Sequence, residues 1–283
     1  MMRLSPRSAV LCAAFALAAS AVSAQSLPGG GDTRSSGLGG LLNGLSSFTQ
    51  KESPEEEARS GEDIAAPVLG AAPPWKNSTV QRYVNLVGRR VADQAERRDV
   101  AWRFAVIDSP SINAMAFPGG IVVVTRGLYA LLDTEDELAA VLGHEIAHVN
   151  RKHQWKVIRQ QKLVALAEGR ITGKDASKTS KLVADLGAKL IARGLDKSAE
   201  FEADRDGAVL AARAGYDSSA LISVMQKLSR VMSDQGDASL LFATHPAPAQ
   251  RIEQLVAAAS PELEVAAVPS PAAARLKSAH SAP

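Results

Sequence analysis

The stretch that most constrains this chain is His144-Glu145-Ile146-Ala147-His148. On a helix of 3.6 residues per turn, side chains four apart share a face, so both imidazoles can reach one ion. Glu145 lies beside that face, where it can take a proton from a water activated by the ion. The alternative is two unrelated histidines on an amphipathic helix, and the flanking sequence weighs against it. Thr134 and Glu137 form a capping box, so a helix is expected to begin there. It can run through Leu138, Val141, Leu142, Ile146 and Val149 to the basic pair Arg151 and Lys152, whose charge suits a helix C-terminus. Ala139, Ala140, Gly143 and Ala147 are small enough for close packing against a neighbour. Two histidines and a glutamate on a buried helix need compensation. A zinc ion would supply it.

Such an ion commonly takes three protein ligands and keeps one position open. A glycine three residues after His148 and a histidine six after it would complete one known pattern, but Arg151 and Gln154 stand there. His153, five residues beyond His148, would point about 140° away on a continuous helix and reads as a surface residue. The better source is Ala199-Glu200-Phe201-Glu202-Ala203-Asp204, on a second expected helix reaching about Ala214. Glu200 and Asp204 share a face, so Glu200 can be the third ligand while Asp204 accepts a hydrogen bond from a ligand histidine and fixes its tautomer. Glu202 points elsewhere and reads as a solvated acid.

The chain opens like an export signal. Arg3 and Arg7 precede an apolar run over residues 9–19, and Val22-Ser23-Ala24 offers a small-residue cleavage site. The run is too short for an ordinary membrane span. The only cysteine, Cys12, falls inside it, and Ala9-Val10-Leu11 before it does not resemble a lipoprotein signal. The exported chain would then have no disulfides and no thiolate ligands or nucleophile, and the periplasm is the expected destination. Residues 25–61 are rich in Gly and Ser and read as a linker. Gly29-Gly30-Gly31 and Gly37-Leu38-Gly39-Gly40 lack the strand and spacing of a nucleotide loop; Glu55-Glu56-Glu57 could start a short helix, but such a charge run is more often a solvated face.

A helix is expected over 79–94, followed by strands at 102–107 and 121–125. Between the strands, Asn113-Ala114-Met115-Ala116-Phe117 and Pro118-Gly119-Gly120 read as a short strand and a tight turn. An edge strand beside the site could pair with an extended substrate through its main chain, but an ordinary sheet under a helix fits these residues equally well. Residues 157–167 look helical, 169–181 polar, and 182–195 helical again. The stripe Leu182, Val183, Leu186, Leu190 and Ile191 suits core packing first, then a lid over the cleft or peripheral contact with a membrane or partner. A further helix is expected over 221–232. His245, in Thr244-His245-Pro246, could stabilise an oxyanion, occupy a fourth metal position at rest, or simply sit in a turn. Arg251, Ile252 and Leu255 lie on a last helix, and residues 259–283 read as an Ala/Pro/Ser tail.

The motifs His144-Glu145-Ile146-Ala147-His148, Glu200-x-x-Ala203-Asp204, Phe117-Pro118-Gly119-Gly120 and Thr244-His245-Pro246 followed by Arg251 together resemble the HtpX-like zinc metallopeptidases, relatives of the CaaX prenyl proteases. The export signal and the lack of internal membrane spans resemble the periplasmic BepA/LoiP-like branch, without its tetratricopeptide extension. The resemblance implies an α+β, mostly helical gluzincin-type domain over residues 62–258, with a small sheet next to the metal helix. It implies one zinc ion per chain held by His144, His148 and Glu200, with Glu145 as base and Asp204 in support. It also implies a gating role for His245 and an active-site role for Arg251. Asp196 and Lys197 stand where many members have Ser-Arg, and lysine lacks the planar fork of arginine.

The implied activity is cleavage of protein or peptide substrates, misfolded outer-membrane proteins among them. The competing readings are a chaperone-like zinc protein with a gated site and a zinc hydrolase of cell-wall peptides. With 32 basic against 30 acidic residues there is no charge excess to favour nucleic acid.

Overall fold

A computed structural model describes residues 53–171, 175–235, 245 and 247–258. The expected export signal, the Gly-rich stretches before residue 53 and the tail after residue 258 lie outside the described residues.

Three short strands form the sheet: β1 (Arg103–Ile107), β2 (Ala114–Phe117) and β3 (Ile121–Thr125), in the order β1-β3-β2. β3 runs parallel to β1 and antiparallel to β2, with Val122 opposite Phe104 and Ala116. Side chains alternate across the sheet, as the two-residue period requires. Phe104, Val106, Ala114, Ala116, Val122 and Val124 enter one core, and Ile107, Phe117, Ile121 and Val123 enter another. Because both faces are covered, β3 is buried along its whole length. That explains its unbroken Ile-Val-Val-Val run.

Helices cover the two faces. Against the first lie α2 (Ser78–Ala92), α4 (Glu135–Asn150) and α7 (Lys197–Arg213), reached from β3 through the short α3 (Arg126–Leu131). Against the second lie α1 (Pro54–Ala71), α5 (His153–Ala167) and α6 (Ala176–Arg193). α8 (Ala220–Gln235) and α9 (Pro248–Ala257) close over the far side of α4 and α7 through Ala140, Ala208, Leu221, Met225 and Leu255. The mostly helical α+β expectation therefore holds. No helix of the described residues is long and apolar enough to cross a membrane.

The start of the fold differs from the sequence expectation. Residues 54–61, assigned to the linker, form the first half of α1, capped by Ser53 accepting from Glu56 N. Glu57 is only 1% exposed, against the expectation of a solvated charge run. Its Oε1 accepts from Arg97 Nη1 at 2.6 Å and from Gly119 N at 3.3 Å. Gly119 and Gly120 have φ of +78° and +96°, which allows the β2–β3 turn to bend against this helix. A Cβ on Gly61 would fall 1.8 Å from Pro118 O. The helix is tied down by a part-buried ion pair and a backbone contact, and neither leaves a periodic trace in the sequence. α5 and α6 also begin earlier than expected, at His153 and Ala176.

α4 carries the central motif, and its ends are well specified. Thr134 accepts from Glu137 N at 3.1 Å, while the Glu137 carboxylate accepts from Asp133 N at 2.7 Å. The capping box thus reaches one residue further back than the usual reciprocal pair. Buried Glu135 accepts from the hydroxyls of Tyr83 at 2.7 Å and Tyr216 at 3.1 Å, and Asp136 accepts from Asp217 N at 3.0 Å. These bonds fix the helix that presents the histidines.

Candidate metal centre

α4 and α7 cross at two glycines. A Cβ on Gly143 would lie 2.6 Å from Gly207 O, and one on Gly207 would lie 2.5 Å from His144 N. Only residues without side chains allow the two backbones this close. The contact falls beside His144, so it sets the separation between the histidines of α4 and the carboxylates of α7.

The result is a cluster of His144, His148, Glu200 and His245, in which one ligand atom from each lies within 4.8 Å of the others. The Nε2 atoms of His144 and His148 are 3.1 Å apart; Glu200 Oε2 is 3.7 Å from the first and Glu200 Oε1 is 3.6 Å from the second. A tetrahedral ion with bonds of about 2.0–2.1 Å needs donor separations of roughly 3.3 Å. Glu200 Oε1 is buried without a hydrogen-bond partner, which is costly unless an ion or a water meets it. The residues present fit a divalent metal, with no bond to it needing a large shift.

Behind the donors stands a second set of contacts. His144 Nδ1 donates to Asp204 Oδ1 at 2.9 Å. Arg251, on α9, donates to both oxygens of the same carboxylate, from Nε at 2.9 Å and from Nη2 at 2.5 Å. Asp204 is 1% and Arg251 5% exposed. Burial works against the Asp204 anion, but Arg251 overrides it and holds the carboxyl well below the usual carboxylate range. Burial likewise opposes the His144 cation, yet the bond to Asp204 and the nearby carboxylates leave its pKa raised. His148 is pushed well down by burial first and then by the neighbouring His144, which favours a neutral ring with a free lone pair.

Glu145 is 3% exposed and lines the cleft beside His148 and the strand residues Ala114, Met115 and Ala116. Burial pushes its carboxyl up, with His144 and His245 opposing. Glu200 is the reverse: burial would raise it, but His245, His144 and Arg251 hold it down. One carboxylate is primed to accept a proton and the other to remain an anion.

His245 Nδ1 donates to Glu200 Oε2 at 2.5 Å, so the histidine of the expected Thr244-His245-Pro246 turn sits on the cluster. Thr244 and Pro246 lie outside the described residues. Of the stripe expected over 182–195, Val183 is buried in the second core. Leu190 and Ile191 line the cleft.

Two expectations are corrected here. His153 is not a surface residue: it is 7% exposed, and its Nδ1 lies 2.9 Å from His148 Nδ1. The physical reason is a break in the helix. Lys152 adopts the left-handed conformation, φ +56°, and the chain restarts as α5, so the direction argued for a continuous helix does not apply. Glu202 is not a free solvated acid either, since its Oε2 accepts from His153 Nε2 at 3.1 Å. The departures Asp196 and Lys197 lie at the start of α7. Asp196 caps it by accepting from Ala199 N at 3.0 Å, and Lys197 donates to Gln250 at 3.1 Å.

The family model described as "Peptidase family M48" matches residues 78–259. The chain belongs to that family. It is 29% identical over 206 residues to the "Beta-barrel assembly-enhancing protease" of Escherichia coli, a match covering 70% of this chain and 42% of the relative. It is 30% identical over 177 residues to the "Mitochondrial metalloendopeptidase OMA1" of Schizosaccharomyces pombe, covering 61% of this chain and 51% of that one. It is 26% identical over 185 residues to "Metalloprotease LoiP" of Escherichia coli, covering 63% and 70%. The matched region spans under half the length of the assembly-enhancing relatives. The M48 match includes all the site residues and leaves out α1.

Proposed function

We propose that this M48 chain is a zinc-dependent endopeptidase that hydrolyses peptide bonds in exported proteins, misfolded and envelope proteins among them. The observation that carries it is the convergence of two α4 histidines and Glu200 of α7, with buried Glu145 beside them and an edge strand next to the cleft. His144, His148 and Glu200 would hold the ion. Bound there, zinc would polarise the scissile carbonyl and acidify the attacking water toward neutral pH. Glu145 takes the proton from that water on its carboxylate and passes it to the leaving nitrogen. Its raised pKa suits both transfers. Asp204, held by Arg251, fixes His144 with Nε2 free for the ion. β2 pairs only with β3 among the described residues, so its other edge can take an extended peptide as a further strand, with affinity from the main chain and little sequence preference. The names of the relatives support protein substrates, and the N-terminal charge and apolar run support a periplasmic site of action.

Glu145→Gln keeps every proposed metal ligand but removes the base. The expected result is one bound zinc in both forms and casein cleavage reduced about 10²–10⁴-fold in the variant. Normal cleavage would overturn the assignment.

One observation favours a second reading, a chaperone-like protein with a gated site: His245 already occupies a Glu200 oxygen. If His245 gates the cluster, His245→Ala cleaves casein faster than the parent. If it serves the reaction, cleavage falls.

A further inference from the structure

His148 presents Nε2 to the cluster and turns Nδ1 away from it. That second nitrogen meets His153 Nδ1 at 2.9 Å, and His153 Nε2 in turn lies 3.1 Å from Glu202 Oε2. The side chains of His148, His153 and Glu202 are 2%, 6% and 37% exposed, so the chain of contacts runs from the buried cluster to the surface. Its hydrogen positions follow from the acceptor at its outer end. A carboxylate only accepts, so His153 carries its proton on Nε2 and leaves a lone pair on Nδ1. That lone pair can accept only from His148 Nδ1–H, which leaves His148 with a lone pair on Nε2, facing Glu200. A His153 proton on Nδ1 would force the opposite tautomer and point an N–H at the ion.

We propose that His153 and Glu202 are positioning residues that select the metal-binding tautomer and ring orientation of His148. This rests on the reading of His148 as a metal ligand. The arrangement matches the one on the other side of the cluster, where Asp204 fixes His144 directly. α7 thus supplies three carboxylates with separate tasks: Glu200 toward the ion, Asp204 behind one histidine, and Glu202 behind the other through His153. The left-handed turn at Lys152 makes this reach possible, because it returns the chain beneath His148 at the start of α5. Glu202 is also 3.5 Å from Arg151 Nε, which has a closer partner in Asp206. Removing Glu202 therefore leaves that arginine paired.

The test measures zinc affinity by competition with a chromophoric chelator, and the visible spectrum after Co²⁺ substitution, on the full chain. The variants are His153→Leu, His153→Asn and Glu202→Ala. Leucine fills the space but accepts nothing. The asparagine oxygen falls near the position of Nδ1 and can accept from His148. The expected result is a weakening of about 10–100-fold for His153→Leu, near-parent affinity for His153→Asn, and an intermediate loss for Glu202→Ala with no change in the melting temperature of the metal-free protein. If His153→Leu fails to fold, Glu202→Ala carries the test alone, since its side chain is partly exposed. Equal affinity in parent and His153→Leu would overturn the inference, as would an Asn variant as weak as the Leu variant. A parent that binds no zinc would overturn the metal reading itself, and this inference with it.

Discussion

Asp204 and Arg251 form a buried, two-pronged ion pair, and His144 shares the same carboxylate. A buried pair is weak evidence for stability, but breaking it from one side leaves a charge without a partner. Arg251→Met should therefore destabilise the metal-free protein by about 3 kcal/mol, the low end for a broken buried pair, because His144 remains as a second donor. Urea unfolding of parent and variant, both stripped of metal, measures this. An unchanged midpoint would show that the pair is not what holds α9 against α7. At this scale much of the site was legible. The four-residue spacings of His144 with His148 and of Glu200 with Asp204 are helix geometry, and helix geometry follows from sequence. His153 was not legible, because its direction depends on one left-handed residue, Lys152. A lysine gives no sign of that conformation, whereas a glycine would. The remaining signal was composition: four of the five histidines lie in this one region.

Between elements, the decisive contact is backbone against backbone. Gly143 and Gly207 let α4 and α7 approach until a methyl group on Gly207 would sit 2.5 Å from His144 N and 2.7 Å from Gly143 C. No side chain can rotate aside to relieve that clash. Gly207→Ala should cost about 1–3 kcal/mol, as overpacking in a tight core does. It should also lower zinc affinity, because it moves Glu200 away from His144 and His148. Gly70→Ala is the control: nothing lies within 4 Å of its Cβ. In a helix that change should be neutral or stabilising by up to about 1 kcal/mol. Thermal melts and chelator competition on the two variants separate a local packing effect from a general intolerance of α-carbon substitution. The sequence showed that Gly143 belongs to a closely packed helix. It could not show that Gly207 was the opposing surface, since no periodicity links two residues on different helices. The same limit hid what α1 packs against, although Glu55-Glu56-Glu57 could be read as a helix start. Its acidic first turn reads as solvated until Arg97 and the Gly119 turn are brought to Glu57 from elsewhere in the chain.

Across the whole molecule, the cluster draws its donors from α4, α7 and the segment before α9, while the cleft beside it is walled by β2 and α6. An ion held there would tie together α4, α7 and the segment before α9. It would bind the folded chain in preference to the unfolded one, which has no preformed site, so its binding free energy would add to stability. At a free concentration of a thousand times Kd, one such ion adds about 4 kcal/mol. For a protein of this size each kcal/mol moves the melting temperature by about 2–4 °C. Removing the metal with a chelator should thus lower the melting temperature by roughly 8–16 °C, and adding one equivalent of zinc should restore it. Glu200→Gln should lose most of that increment, because a neutral amide is a poorer ligand and the cluster would lose its anion. Glu145→Gln should keep it in full, because the proposed base is not among the donors of the cluster. The pair separates metal binding from catalysis without any substrate. A melting temperature indifferent to chelator would mean that Glu200 Oε1 is satisfied by water, and that the four donors converge for some purpose other than holding an ion.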